Sequence, residues 1–279
     1  MKELSHQQFD EERALYGSKD LLIQDCIFDG PKDGESFLKE CSNIALENSY
    51  CALRYPFWHN RGLKISDCSL TDGCRAALWY SDHIAISNTS LHGIKALREC
   101  SDVTMSHCDI ESPEFGWSVN NIELSDTNAV SEYFMMRSTQ LQFKRVRFKG
   151  KYSFQYTEDG TIEDCIFDTK DAFWHSHHLT VKNSTIKGEY LAWYSDHLTL
   201  DHCRIIGTQP FCYCTNLKLI DCEMINTDLA FEKSDVEATV LTSIDSVKNP
   251  KSGTIKAPFI QELIMDDPEA LGNVIISKH

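Results

Sequence analysis

Apolar and polar residues alternate along this chain in short bursts, and the bursts recur every 19 residues. From Trp79 to residue 230, eight segments of 19 residues follow one another without insertion or loss. Their sixth position is apolar (Ile84, Val103, Ile122, Leu141, Leu179, Leu198, Leu217) apart from Gly160, and so is their eighth (Ile86, Met105, Leu124, Phe143, Ile162, Val181, Leu200, Leu219). The residues between the two columns are mostly polar, which predicts a short strand buried on one face. The thirteenth position repeats the signal through Leu91, Ile110, Phe148, Phe167, Ile186, Ile205 and Met224, predicting a second strand.

Upstream, 39–57 is again 19 long, 58–78 carries two extra residues around Asp72-Gly73, and 16–38 carries four extra at Pro31-Lys32-Asp33-Gly34. Turn-forming residues mark the corners. The fifth position holds Asp20, Asn43, Gly62, His83, Asp102, Asn121, His178 and His197, and the tenth Asp25, Asn48, Asp67, Asn88, Asp126 and Asn183. These types tolerate a left-handed backbone, so a bend is expected at each. A third strand, running from the seventeenth position into the second of the next repeat, then closes one coil. With no amphipathic helical stretch, the expected fold is all-β: a single-stranded right-handed parallel β-helix of about twelve coils. One domain, 1–279, is expected, with a partial N-terminal coil at 1–15, regular coils at 16–230, and an irregular last coil and C-terminal cap at 231–279.

Cysteine usage fits a packed interior. Six of the twelve cysteines (Cys26, Cys68, Cys108, Cys165, Cys203, Cys222) share the eleventh position with Ser49, Thr89, Thr127 and Ser184, so small size explains them. Cys203 and Cys222 fall one strand apart, yet reduced thiols are expected because the N-terminus MKELSHQQFDEERAL lacks an apolar signal core. No run is long enough to span a bilayer, and the expected location is cytoplasmic. The 27 basic and 42 acidic residues give a net charge of −15, which opposes nucleic acid and anionic membrane surfaces.

The opening EERALYGSKD, the recurring W-[YH]-S and the closing SIDSVKNPKSGTIKA resemble a family of uncharacterised bacterial proteins of the pectate-lyase-like β-helix type. The resemblance covers nearly the whole chain and implies the right-handed parallel β-helix. It supplies no catalytic residues and no cofactor.

Candidate chemistry gathers on the third strand. All five tryptophans, Trp58, Trp79, Trp117, Trp174 and Trp193, stand in the first column, and the arginine and glutamine among them, Arg98 and Gln155, argue for exposure of that column. The second column adds Tyr80, Tyr156, His175, Tyr194 and Tyr213. Alternate residues of a strand face opposite ways, and the sequence leaves open which column faces solvent. Two functions follow. One is a non-catalytic solenoid whose aromatic stripe binds an extended glycan or protein segment; the other is a polysaccharide lyase or glycoside hydrolase on the same face. Arg137, Asp171 and His175 form the best catalytic cluster for the second. A metal reading of His175-Ser176-His177-His178 with His197 gives way to turn geometry, because His178 and His197 stand in the fifth column, where other coils have Asp or Asn. No metal and no cofactor are expected.

Overall fold

The computed structural model describes residues 1–31 and 34–276; Lys32 and Asp33 of the first expected insertion, and 277–279 of the expected cap, lie outside the described residues. The chain is a parallel β-solenoid of about 14 turns at a spacing near 19 residues, without helix among the described residues. It divides into two compact units, Met1–Gln142 and Phe143–His279.

In the first unit the strands Lys19–Gln24, Ser42–Glu47, Arg61–Ser66, Asp82–Ser87, Ser101–Ser106 and Asn120–Ser125 lie parallel. Leu21, Ile44, Leu63, Ile84, Val103 and Ile122 pair in succession along them, all buried. A second, narrower side stacks Phe28, Cys51, Leu70, Leu91 and Ile110 in the same way. Each such side chain contributes roughly 1.5–3 kcal/mol by leaving water. A one-residue slip would turn the whole set outward, and so the alternation fixes the register.

The second unit repeats the arrangement with Glu158–Glu163, His177–Lys182 and Thr199–Asp201 on the first side, and with Leu217–Ile225, which starts on the first side and runs on into the second. The expected irregular end is instead further coiling. Asp235–Val240, Ser252–Ala257 and Asn273–Ile276 add rungs to the same sheet. Val236 pairs with Gly253, a step of 17 residues, and Leu217–Ile225 carries a register shift. Shortened steps move residues out of their columns without ending the solenoid, which is why the period fades while the coils continue.

The corners behave as their residue types require. Asp20, Asn43, His83, Asp102, Asn121, His178 and His197 at the fifth position, and Asp25, Asn48, Asp67, Asn88, Asp126 and Asn183 at the tenth, all have φ between 44° and 59°. The bend at the tenth position aims the next N–H inward, where it needs an acceptor. A hydroxyl of the following coil supplies it: Cys26 N–H donates to Ser49 Oγ, Cys68 to Thr89 Oγ1, Cys108 to Thr127 Oγ1 and Cys165 to Ser184 Oγ. This explains the mixture of Cys, Ser and Thr in the eleventh column. All twelve cysteines are free thiols, and burial pushes Cys68, Cys108 and Cys165 up to about 11, a range in which a thiol is unreactive.

Candidate binding face

The third side departs from the expected strand. Among the described residues, short strands form here only at Leu78–Trp79 with Leu97–Arg98 and at Ile244–Lys248 with Ile260–Ile264. Elsewhere the seventeenth and second positions are themselves left-handed: Tyr152, Asp171 and Tyr190 have φ of 57°, 52° and 58°, and Tyr156, His175, Tyr194 and Tyr213 have φ of 56°, 52°, 60° and 61°. Non-glycine residues adopt this region at a cost of roughly 1–2 kcal/mol each. The regular coil-to-coil hydrogen bonds are kept all the same: Asp171 N–H donates to the Glu189 carbonyl, Phe173 N–H to Ser153, and His175 N–H to Trp193.

Burial, not strand alternation, sets the facing of the columns on this bent side. Phe57, Leu78, Leu97, Met135, Phe154, Phe173 and Phe211 at the nineteenth position are buried, the second position reaches the surface, and the tryptophans of the first position lie between them. They are half-buried rather than free, because each indole has a backbone task. Trp58 Nε1 donates to the Ala76 carbonyl (2.6 Å), Trp79 to Lys95 (2.8 Å), Trp117 to Tyr133 (2.7 Å), Trp174 to Tyr190 (2.6 Å) and Trp193 to Gln209 (2.9 Å). In every case the acceptor is the left-handed corner residue of the next coil. Gln155, in the same column, donates its amide to the Asp171 carbonyl at 2.9 Å. Tryptophan and glutamine share a flat side chain with an N–H at its rim, and this shared donor accounts for a glutamine among tryptophans without invoking exposure.

Stacking completes the column. Trp58 lies on Trp79 (5.0 Å between ring centroids, 2° between planes) and Trp174 on Trp193 (5.4 Å, 4°). Arg98 fills its rung with a guanidinium 5.1 Å from Trp79 and 4.9 Å from Trp117, while Lys39 Nζ sits 5.5 Å from Trp58. Neither Arg98 nor Lys39 stands out as an aromatic partner in the sequence; the alignment of both in the first column, Lys39 opening the 39–57 repeat, was the available signal.

The second column is the exposed one. Tyr80, Tyr156 and Tyr194 are 43 %, 48 % and 45 % exposed. In the second unit Tyr156, His175, Tyr194 and Tyr213 form a four-rung ladder with centroid spacings of 5.0, 5.0 and 4.8 Å and planes within 10°. In the first unit the ladder has His59 on Tyr80 at 5.1 Å. Stacking occupies the ring faces, so solvent meets ring rims, phenol hydroxyls and the imidazole edge. A sugar cannot lie flat on a ring whose face is already covered. Hydrogen bonding along the rims is the chemistry this arrangement offers.

The catalytic candidates do not form a triad within one unit. Arg137 belongs to the first unit, Asp171 and His175 to the second. His175 is stacked between Tyr156 and Tyr194. Asp171 is 8 % exposed, and burial raises its carboxyl above the ordinary range, with Lys170 opposing and Glu189 adding to the shift. Lys170 itself is held by Glu189 at 3.0 Å. The histidines at the neighbouring corner are engaged locally: His197 Nδ1 lies 2.9 Å from Asp196, and the His178 and His197 rings are 4.8 Å apart. Among the described residues no group of three His, Cys, Asp or Glu side chains converges as a metal site.

Stacked parallel coils with inward apolar columns and outward aromatic ladders define a β-helix protein. Residues 2–276 match the family described as "Protein of unknown function (DUF3737)", and the chain belongs to that family. No curated protein matches the sequence. Among solved structures, the chain is similar to PfbA, a surface adhesin of Streptococcus pneumoniae, at 11 % identity and a TM-score of 0.36, covering 88 % of this chain and 69 % of that one. It is similar to the tailspike of E. coli bacteriophage HK620 in complex with a pentasaccharide, at 7 % identity and a TM-score of 0.42, covering 92 % of this chain and 61 % of the tailspike. The mannuronan C-5 epimerase AlgE4 A-module of Azotobacter vinelandii gives 8 % identity and a TM-score of 0.39, over 98 % of this chain and 89 % of the module. The tailspike and the epimerase are right-handed β-helix proteins.

Proposed function

We infer that this protein is a non-catalytic binding solenoid that holds an extended ligand along the exposed aromatic edge of its second unit. The observation that carries this reading is the Tyr156–His175–Tyr194–Tyr213 ladder, with Tyr156 and Tyr194 48 % and 45 % exposed at rungs 4.8–5.0 Å apart. Exposed aromatic surface repeated in one direction is costly to leave in water and favours a partner of the same linear form. The tryptophans beside it act as the wall of the ladder: their N–H groups are spent on backbone carbonyls, so they support the site rather than contact ligand first.

Binding without turnover is favoured over a glycan-active enzyme because acid–base work needs ionisable groups converging on one bond. Here Asp171 is buried, and His175 is fixed between two phenol rings. The test is a panel of polysaccharides and extended peptides offered to the intact chain, read by titration calorimetry and by release of reducing ends. Binding of a panel member without new reducing ends is the expected result. Sustained release of reducing ends would replace this reading with the enzyme, and no binding by any panel member would remove it.

A further inference from the structure

The spacing of the second-unit ladder selects its ligand. We propose that the ladder takes a linear β-1,4-linked glycan laid along the solenoid axis with one sugar per rung, gripped through ring-rim hydrogen bonds at Tyr156, His175, Tyr194 and Tyr213. The proposal rests on the binding reading above and commits it to one polymer class.

The argument is one of commensurate repeats. Successive rings of the ladder are 5.0, 5.0 and 4.8 Å apart and nearly parallel, so the face offers one ring-rim contact per rung, more open at Tyr156 and Tyr194 than at His175 and Tyr213. A peptide strand presents a side chain to one face only every second residue, about 6.6–6.8 Å, and falls out of step at the first rung. A polyproline helix returns to the same face after three residues, about 9.3 Å, and meets only alternate rungs. A pyranose ring with its glycosidic oxygen is about one rung long, and a chain of such rings linked through equatorial positions is straight; alternate rings are turned over, but each carries hydroxyls on both edges, so every ring still brings a hydroxyl to its rung. Its hydroxyls lie around the sugar's equator, where they meet a surface of phenol hydroxyls and an imidazole edge. Those groups both donate and accept, as hydroxyls do.

Rim contact also sets the strength and the length dependence. The ladder is an open edge, so little of each sugar is buried and affinity accumulates rung by rung. One hydrogen-bonded rung tightens binding by about three- to tenfold. Four rungs are present, so the gain should stop at four sugars.

The test is calorimetric titration of the full chain with cello- and chito-oligosaccharides of two to six units. In at least one series, affinity should rise by about three- to tenfold per unit up to four units and then level off. Tyr156→Ala and Tyr213→Ala, which remove opposite ends of the ladder, should each move the plateau to three units and leave the trimer affinity unchanged. Affinity independent of length, a plateau that neither variant moves, or no binding by either series overturns the proposal. Proline-rich peptide that binds in place of both series also overturns it, while leaving the broader binding reading standing.

Discussion

Replacing Trp193 separates what its ring does from what its N–H does. The indole donates to the Gln209 carbonyl at 2.9 Å, stacks on Trp174 at 5.4 Å, and makes edge contacts with Tyr190 and Tyr213 at 5.5 and 5.7 Å. Trp193→Phe keeps most of the ring contacts and removes the donor, which should cost about 0.5–1.5 kcal/mol, the net value of one hydrogen bond. Trp193→Gln keeps a donor of the kind Gln155 already uses at this position, but loses the stack and the apolar area. An aromatic pair contributes about 0.5–1.5 kcal/mol, and half of a side chain of roughly 200 Å² contributes about 2–3 kcal/mol more, so a loss of about 3 kcal/mol is expected. Trp193→Ala loses everything and should cost about 3–5 kcal/mol. Urea unfolding followed by far-ultraviolet circular dichroism should therefore rank the variants wild type, Phe, Gln, Ala. If Gln proves no better than Ala, the backbone cap contributes nothing. If all three lie within about 0.5 kcal/mol of wild type, the ladder carries no structural load.

Asp171→Asn should raise the midpoint of thermal unfolding at pH 7 and leave it unchanged near pH 3. The folded carboxyl is raised above its unfolded value of about 3.9, so the unfolded chain loses its proton first and stability falls as pH rises through that window; equal effects at both pH values would count against burial as the cause. Asn60→Ser should stabilise by about 1 kcal/mol in chemical denaturation, since buried Asn60 Nδ2 has no partner and Ser81 shows that a serine at this column serves the neighbouring N–H equally well; a loss of stability would mean that Nδ2 is satisfied. Gly116→Ala should destabilise by about 1–3 kcal/mol, because Gly116 sits at φ 76° and a Cβ there would run into Met135 Sδ; an unchanged midpoint would refute that packing.

The buried columns were legible because one physical rule governs them. Inward positions must be apolar or small, and in-register stacking repeats that demand at every coil, as Ile84, Val103 and Ile122 do. The Asp, Asn and His corners were legible for a similar reason, since the bend is local and these residues favour it. The aromatic corners were not. Tyr152, Tyr156 and Tyr194 carry no preference for a left-handed backbone, and they hold it because stacking and coil-to-coil hydrogen bonds outweigh the local cost. A strand was therefore expected where the chain bends at nearly every second residue. The tryptophan column misled in another way. Gln155 and Arg98 looked like evidence of exposure, whereas Gln155 is a buried substitute donor and Arg98 a cation held between two indoles.

The central claim is that the exposed second-column ladder, rather than the tryptophan wall behind it, is the face that meets the ligand. The direct measurement is ligand binding by a Tyr156→Ala, Tyr194→Ala double variant, made on protein whose circular dichroism spectrum confirms the β-solenoid. Both side chains are nearly half exposed, so the fold should survive with a loss of about 1–4 kcal/mol from the stacked pairs they leave. The expected result is a folded protein that no longer binds the polymer retained by the wild type. Undiminished binding by the folded double variant would contradict the claim.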